Sequence, residues 1–414
     1  MNLVFDGRDA EPLAVTAPVA AEPVQASVSW NLDAGDGGVY GLFHMDSLEG
    51  FSTGSVGAAV SGKEFQAQVG TMLAAGGDTY SLLYTRDGSM YDGFTHQAAT
   101  SELAEIGARV GASAPGKVGS VHPMWWNEFM GVGGAGNHVA LPYTSKQYVT
   151  TPPGYRWSFG VGQAPADVPF DGEYEVLYDR DQGRSYEAGK SYGVTLNVGV
   201  FAPDIRAGDL GRIEDFAVLC QPVFSDTSGR PGHTGPAVVK AKLTVDGKTF
   251  QEQDSPCLQV SGLPAKESAY TLSVDATRKA EVARVSTRVS AEWTFTSASP
   301  GNTVALPPLS TLGFAPELTP ASTAEAGTTL RVPLVVEGNA ARKGVASLTV
   351  EASYDGGTTW RKAPVTTENG ERAITLDHPA SAASVSLRGG LKDTEGNGYE
   401  VTVTDAYLLT PHAS

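Results

Sequence analysis

Leu243-Thr244-Val245-Asp246-Gly247-Lys248-Thr249-Phe250 reads as two short strands joined by a two-residue turn. Apolar and polar side chains alternate on either side of Asp-Gly, and that dipeptide supplies the two positive-φ residues a tight hairpin needs. The same period of two recurs at residues 194–201, 270–274, 289–295, 348–352, 384–387 and 399–403. Successive side chains of a strand point to opposite faces, so each stretch can bury one face and wet the other. Helical spacing fits only residues 101–110. There Ser101 can cap, Glu102 and Glu105 lie near the positive end, Leu103, Ile106 and Val110 share a face, and Gly111 stops the run. The expected class is all-β: tandem β-sandwich modules, immunoglobulin-like or jelly-roll-like, with one short helix near 101–110.

Composition agrees. The 414 residues include 49 Gly and 25 Pro, and only 18% are charged. That balance disfavours helical bundles and coiled coils. With 41% hydrophobic residues there is material for several cores, which argues against a disordered chain. Set against 46 acidic residues, 29 basic ones leave a net charge of −17. Neither nucleic acid nor an anionic membrane is an expected partner, because a negative body gains nothing by approaching a polyanion. No stretch approaches the roughly 18 apolar residues of a membrane span. Met1 to Asp6 lack the basic and apolar regions of a signal peptide.

Pro- and Gly-rich breaks set the expected boundaries. Residues 1–24 read as an orphan strand at Leu3-Val4-Phe5 followed by a stiff Ala/Pro linker. Sandwich modules then occupy 25–163 and 170–298, separated by a break short enough for them to share a core. A C-terminal immunoglobulin-like sandwich spans 310–412.

Candidate chemistry is sparse. His122, Glu128 and His138 are a conceivable mixed metal set, but they lack metal-motif spacing and read as surface or turn residues. Ser191 sits in a Gly-x-Ser-x-Gly spelling, yet a strand follows where a nucleophile elbow needs a helix. Ser52 and Ser55 lack any strand-to-helix signal, and His233 lies in a Gly/Pro-rich loop with no triad partners in view. Asp393, Glu395 and Asn397 offer oxygen ligands for a structural calcium, although the same residues are what a turn between strands requires.

Three further features are more informative. Trp125 and Trp126 are adjacent, so they face opposite sides of a strand and cannot both enter one core. An exposed indole beside Asn127 and Glu128, extended by Tyr155 and Trp157, would make a carbohydrate- or peptide-binding platform. The competing reading buries these rings at a module interface. Ser353-Tyr354-Asp355-Gly356-Gly357-Thr358-Thr359-Trp360 resembles the Asp-box of sialidases and other β-propeller proteins, in a single copy. It reads as a structural turn: Asp355 bonds backbone N–H groups, Gly357 takes a positive φ, and Trp360 covers the hairpin. Cys220 ends one apolar run and Cys257 opens another. Either they form a disulfide closing a loop of nearly forty residues, worth about 4 kcal/mol, or they remain two small buried thiols. Compartment decides between these.

Residues 270–278, 285–297, 348–360 and 377–380 resemble the C-terminal, non-catalytic region of large secreted bacterial subtilisin-like serine peptidases, with a fainter likeness over residues 1–165. The resemblance implies accessory β modules without a cofactor. It further implies an extracellular location within a longer precursor, and a catalytic peptidase domain as partner, in cis or in a neighbouring chain. Polypeptide or polysaccharide substrate is a further implied contact. The family's catalytic signatures (Asp-Ser/Thr-Gly, His-Gly-Thr-x-Val and Gly-Thr-Ser-Met/Ala-x-x-Pro) do not occur here, so no triad residue carries over and this chain is not expected to be an enzyme. The alternative is a self-standing secreted carbohydrate- or protein-binding sandwich, or a glycan-active enzyme, because a carboxylate pair is invisible in sequence.

Overall fold

Strands Val238–Val245 and Lys248–Gln253 pair antiparallel across Asp246 and Gly247, whose φ angles are +47° and +77°. This hairpin is the edge of a much larger sheet. The structure, a computed structural model, describes residues 7–33, 38–55, 58–60, 64–134, 136, 138–167, 176–178, 183–205, 208, 210–226, 228 and 230–411. The orphan strand expected at Leu3-Val4-Phe5 lies outside these.

The protein is an all-β stack of packed sheets. Among the described residues, a seven-stranded sheet runs in the order Ser191–Leu196, Leu103–Val110, Tyr143–Thr150, Asp78–Asp87, Phe65–Ala75, Glu22–Asp33 and Gly38–Met45. One face is covered by a small sheet of Glu11–Thr16, Ser52–Thr53 and Phe94–Gln97, around a core of Leu13, Val15, Val28, Val69 and Leu82. The opposite face packs on a sheet centred on Lys117–Trp126 and Arg156–Pro165. The C-terminal half is built on a nine-stranded sheet, from Lys248–Gln253 through Arg288–Ser297 and Gly398–Thr410 to Arg361–Ala363. A four-stranded sheet containing Ser310–Phe314 and Thr329–Gly338 faces it across Leu312, Phe314, Val332, Leu387 and Val403.

Several expectations need correction. Residues 101–110 are not a helix. A single 3-10 turn, Thr100–Glu102, leads into strand Leu103–Val110. That strand pairs on both sides, with Tyr143–Thr150 and with Ser191–Leu196. Ladder bonds on two edges, with Ile106, Ala108 and Val110 buried at a period of two, outweigh the weak helical spacing. The one α-helix among the described residues is Asn339–Lys343.

Residues 10–24 are extended but are no free linker. Glu11–Thr16 runs parallel to Phe94–Gln97, and Leu13, Val15 and Ala17 are buried. Pro23 enters the next strand where the register shifts between Pro23 and Gln25, so the missing N–H is tolerated at an irregularity.

The segment at 299–308 separates sequence but not sheets. Arg288–Thr294 pairs residue by residue with Gly398–Thr404, so strands from either side of the expected boundary share one ladder. A single cluster of buried side chains extends from Leu83 to Leu409.

Candidate functional site

Trp125 and Trp157 stand opposite each other on neighbouring strands, and Tyr155 lies two residues before Trp157 on the same face. That face points inward. Trp125, Tyr155 and Trp157 are 4%, 4% and 3% exposed, and Trp125 meets Tyr155 edge-on with ring centroids 5.5 Å apart. The strands across the gap, Glu22–Asp33 and Phe65–Ala75, present Ser29, Asn31 and Gln68, all buried. These polar groups pair with one another except at Asn31 Nδ2, which is buried without a partner. Gln68 Nε2 donates to Asn31 Oδ1 at 2.7 Å and to Tyr155 Oη at 3.0 Å, while Tyr155 Oη donates to Gln66 Oε1 at 2.6 Å. Ser29 Oγ donates to Gln68 Oε1 at 2.9 Å. Asn127 closes the network from the loop side, and its own Oδ1 accepts from the backbone of Phe129 and Met130.

Trp126 points the other way and is half-buried. Its indole lies against Gly131, where a Cβ would approach ring carbon to 2.4 Å, and Nε1 donates to Ser158 Oγ at 2.8 Å. Of the six platform candidates, Glu128 alone is exposed, as the competing reading of buried rings requires. The adjoining cavity, bordered by Ser27, Gly70, Trp125 and Trp157, has about 40 Å³ of room, enough for ordered water but not for a sugar ring. The rings are therefore packed between two sheets, and the facing strands supply hydrogen-bond partners for Tyr155 and Gln68.

The remaining candidates are engaged locally. Asp355 Oδ1 accepts from Thr359 N at 2.8 Å and from Ser353 Oγ at 2.7 Å, and Oδ2 accepts from Thr359 Oγ1 at 2.6 Å. The Thr359 bonds, with that from Ser353, hold the Asp355 carboxyl down to about 2. Gly356 and Gly357 take φ angles of +68° and +90°. Trp360 donates to Gly357 O and lies under the Arg388 guanidinium at 4.5 Å.

At the calcium candidate, Asp393 accepts from the amides of Glu395 and Asn397 on one oxygen and from Asn339 and Asn397 side chains on the other. Glu395 accepts from Asn339 Nδ2 and Lys343 Nζ. N–H donors thus occupy the positions a cation would need. Ser191 is exposed at the head of a strand, Ser52 lies in a two-residue edge strand, and His233 is exposed on Gly232–Thr234. Ser55 donates its backbone N–H to Asp92 Oδ1. Among the described residues no three His, Cys, Asp or Glu side chains converge as metal ligands, so His122, Glu128 and His138 are not brought together. Cys220 and Cys257 face each other on antiparallel strands and are joined as a disulfide.

One carboxylate pair emerges that no motif announced. Asp204, 8% exposed, lies in the segment after Ser191–Leu196, and Glu337 lies on Thr329–Gly338. Both line one small cavity, and burial, followed by the neighbouring Asp204 carboxylate, pushes the Glu337 carboxyl up to about 8. The cavity they line, with Thr311 and Asp226, has about 30 Å³ of room, too little for a saccharide.

The chain matches no family model and no curated protein. Solved structures similar to it include a chimeric titin Z1Z2-Z1Z2 tandem, 14% identical over 48% of this chain and 90% of that one, with a TM-score of 0.19. Another is the N-terminal four immunoglobulin domains of Dscam1 isoform 1.9, 11% identical over 94% and 96%, with a TM-score of 0.17. A third is the three N-terminal domains of the outer capsid protein Hoc of bacteriophage RB49, 9% identical over 73% and 94%, with a TM-score of 0.15. At such scores the likeness carries no argument, and the fold class rests on the sheets themselves. No helix among the described residues is long and apolar enough to cross a membrane.

Proposed function

We propose that this chain is a non-catalytic accessory region of an extracellular subtilisin-like serine peptidase, a rigid β scaffold that stabilises a catalytic domain or positions its substrate. One observation carries this reading: the residues with chemical potential are spent on holding sheets together. Tyr155, Asn127 and Gln68 satisfy one another, Asp355 and Asp393 are saturated by local donors, and a single apolar cluster extends from Leu83 to Leu409. The likeness over residues 270–278, 285–297, 348–360 and 377–380 supports the family, and the Cys220–Cys257 disulfide suits an oxidising compartment.

The test has a genetic and a chemical half. The reading frame beside this gene should encode Gly-Thr-Ser-Met/Ala, and its peptidase should lose activity faster on heating when this chain is deleted. Covalent labelling of the purified chain by a serine-directed fluorophosphonate would contradict the proposal.

A second reading, a self-standing binding protein, is favoured by one feature. A cleft of about 610 Å³ runs between the Leu13–Ala21 segment and Leu48 and Leu73. Its size suits a small ligand or an extended peptide. Saturable binding of polysaccharide or unfolded polypeptide by a chain with no neighbouring peptidase gene would favour this reading over the first.

A further inference from the structure

Strand Gly38–Met45 is the last of the seven-stranded sheet, and among the described residues no strand pairs with its outer side. An unpaired edge presents a row of backbone N–H and C=O groups, which proteins commonly blunt with Lys, Pro or a bulge. This edge has none of them. Its sequence, Gly-Val-Tyr-Gly-Leu-Phe-His-Met, contains no Pro, Lys, Arg, Asp or Glu. All 8 residues stay in register with residues 26–33, without a shift. The edge of the nine-stranded sheet, Lys248–Gln253, shows the contrast. It carries Lys248 and Glu252, and its pairing shifts register beside Leu243 and Thr244.

The side chains of Gly38–Met45 are apolar on both faces. Val39 and Phe43, on one face, are 53% and 58% exposed, and Tyr40, on the other, is 60% exposed. Between Val39 and Phe43 lies Gly41, where a Cβ would come within 2.6 Å of the Trp30 indole, so that ring lies over the bare backbone of the edge strand. Trp30 in turn stacks on Phe65, with ring centroids 6.0 Å apart and planes inclined by 17°. A strand added here would meet apolar side chains at alternate positions on either face.

Charge selects the kind of strand. From residue 9 to residue 62 the sequence contains no Lys or Arg, whereas Glu22, Asp33, Asp46 and Glu49 lie on the paired strand or just beyond the edge. All of these acids are exposed. A second copy would bring like charges together, on bodies that each carry −17. A segment bearing Lys or Arg gains where a second copy loses.

We propose that Gly38–Met45 is a docking edge for a basic, extended polypeptide segment, which joins the seven-stranded sheet as an added strand. Backbone hydrogen bonds along the edge supply affinity. Val39, Phe43 and Tyr40 pack against apolar side chains of the segment, and the surrounding carboxylates favour Lys or Arg at its ends. The inference goes beyond the accessory-region reading and does not depend on it, since the edge and its charge belong to this chain alone.

The experiment is fluorescence anisotropy of a labelled, capped peptide with a Val-Thr-Val-Thr-Val core between Lys pairs, titrated with the full chain. Saturable binding is expected. It should weaken by about tenfold or more when Glu pairs replace the Lys pairs, and equally in Val39→Ser/Phe43→Ser. Two further peptides, methylated at alternate backbone nitrogens of the core in opposite phases, test the ladder itself. At least one of them should bind about tenfold more weakly. No saturable binding, equal affinity for the Glu-flanked peptide, unaltered binding by the double variant, or indifference to methylation in both phases each overturns the proposal. So does concentration-dependent dimerisation in sedimentation that the double variant abolishes, which gives the edge to a second copy. The methylated peptides act on the unaltered chain, so they decide the matter should the variant fail to fold.

Discussion

Tyr155 places a hydroxyl between two sheets, donating to Gln66 and accepting from Gln68. Removing that oxygen leaves a buried amide without one of its partners, while the ring still fills its space. Tyr155→Phe should therefore cost about 1–3 kcal/mol, read as a lower urea midpoint with an unchanged slope. An unchanged midpoint would mean water replaces the hydroxyl freely. Sequence alone placed Trp125, Tyr155 and Trp157 among related positions but could not say whether their face met water or protein. The answer lay in other strands. Ser29, Asn31 and Gln68 alternate with apolar neighbours and look like a solvent face, yet they are buried partners of this cluster. Asp204 and Glu337 left no trace at all, because only the fold brings them to one cavity.

Short elements were legible where chemistry is local. Asp246-Gly247 needs positive φ at both positions and has it. The Asp355 turn closes through bonds spanning at most four residues. The stretch 101–110 misled because its register satisfies two periods at once, and the two neighbouring strands chose between them. Cys220 ends one strand and Cys257 opens another, and the sequence did not reveal their pairing; in the fold they are directly opposed. Their disulfide closes a sequence separation of 37 residues. Reduction, or Cys220→Ser with Cys257→Ser, should lower stability by about 2–5 kcal/mol. Denaturant melts with and without reductant measure this, and non-reducing mass spectrometry verifies the bridge. Equal melts in both conditions would show that the small sheet of Phe216–Cys220 and Cys257–Val260 needs no staple.

At the scale of the molecule, composition foresaw an acidic all-β protein but placed its divisions too firmly. Breaks rich in Pro and Gly mark where strands end, whereas a module ends where pairing and packing stop. Here they do not stop. Arg288–Thr294 and Gly398–Thr404 share a ladder across the 299–308 segment. Arg109 Nη2 donates to Leu318 O, and Arg284 N donates to Ser113 O, tying the seven-stranded sheet to the C-terminal half. A scaffold that positions a partner domain needs this continuity, since independent beads on a string would transmit no orientation. Excised residues 310–412 lack the strand that covers one edge of Gly398–Thr410, so they should not fold alone. Scanning calorimetry of the whole chain, compared with that fragment, tests the claim most directly. One cooperative transition for the full chain, with calorimetric and van't Hoff enthalpies in agreement and no transition in the fragment, is the predicted result. Separate transitions, one of them reproduced at the same temperature by residues 310–412, would contradict it.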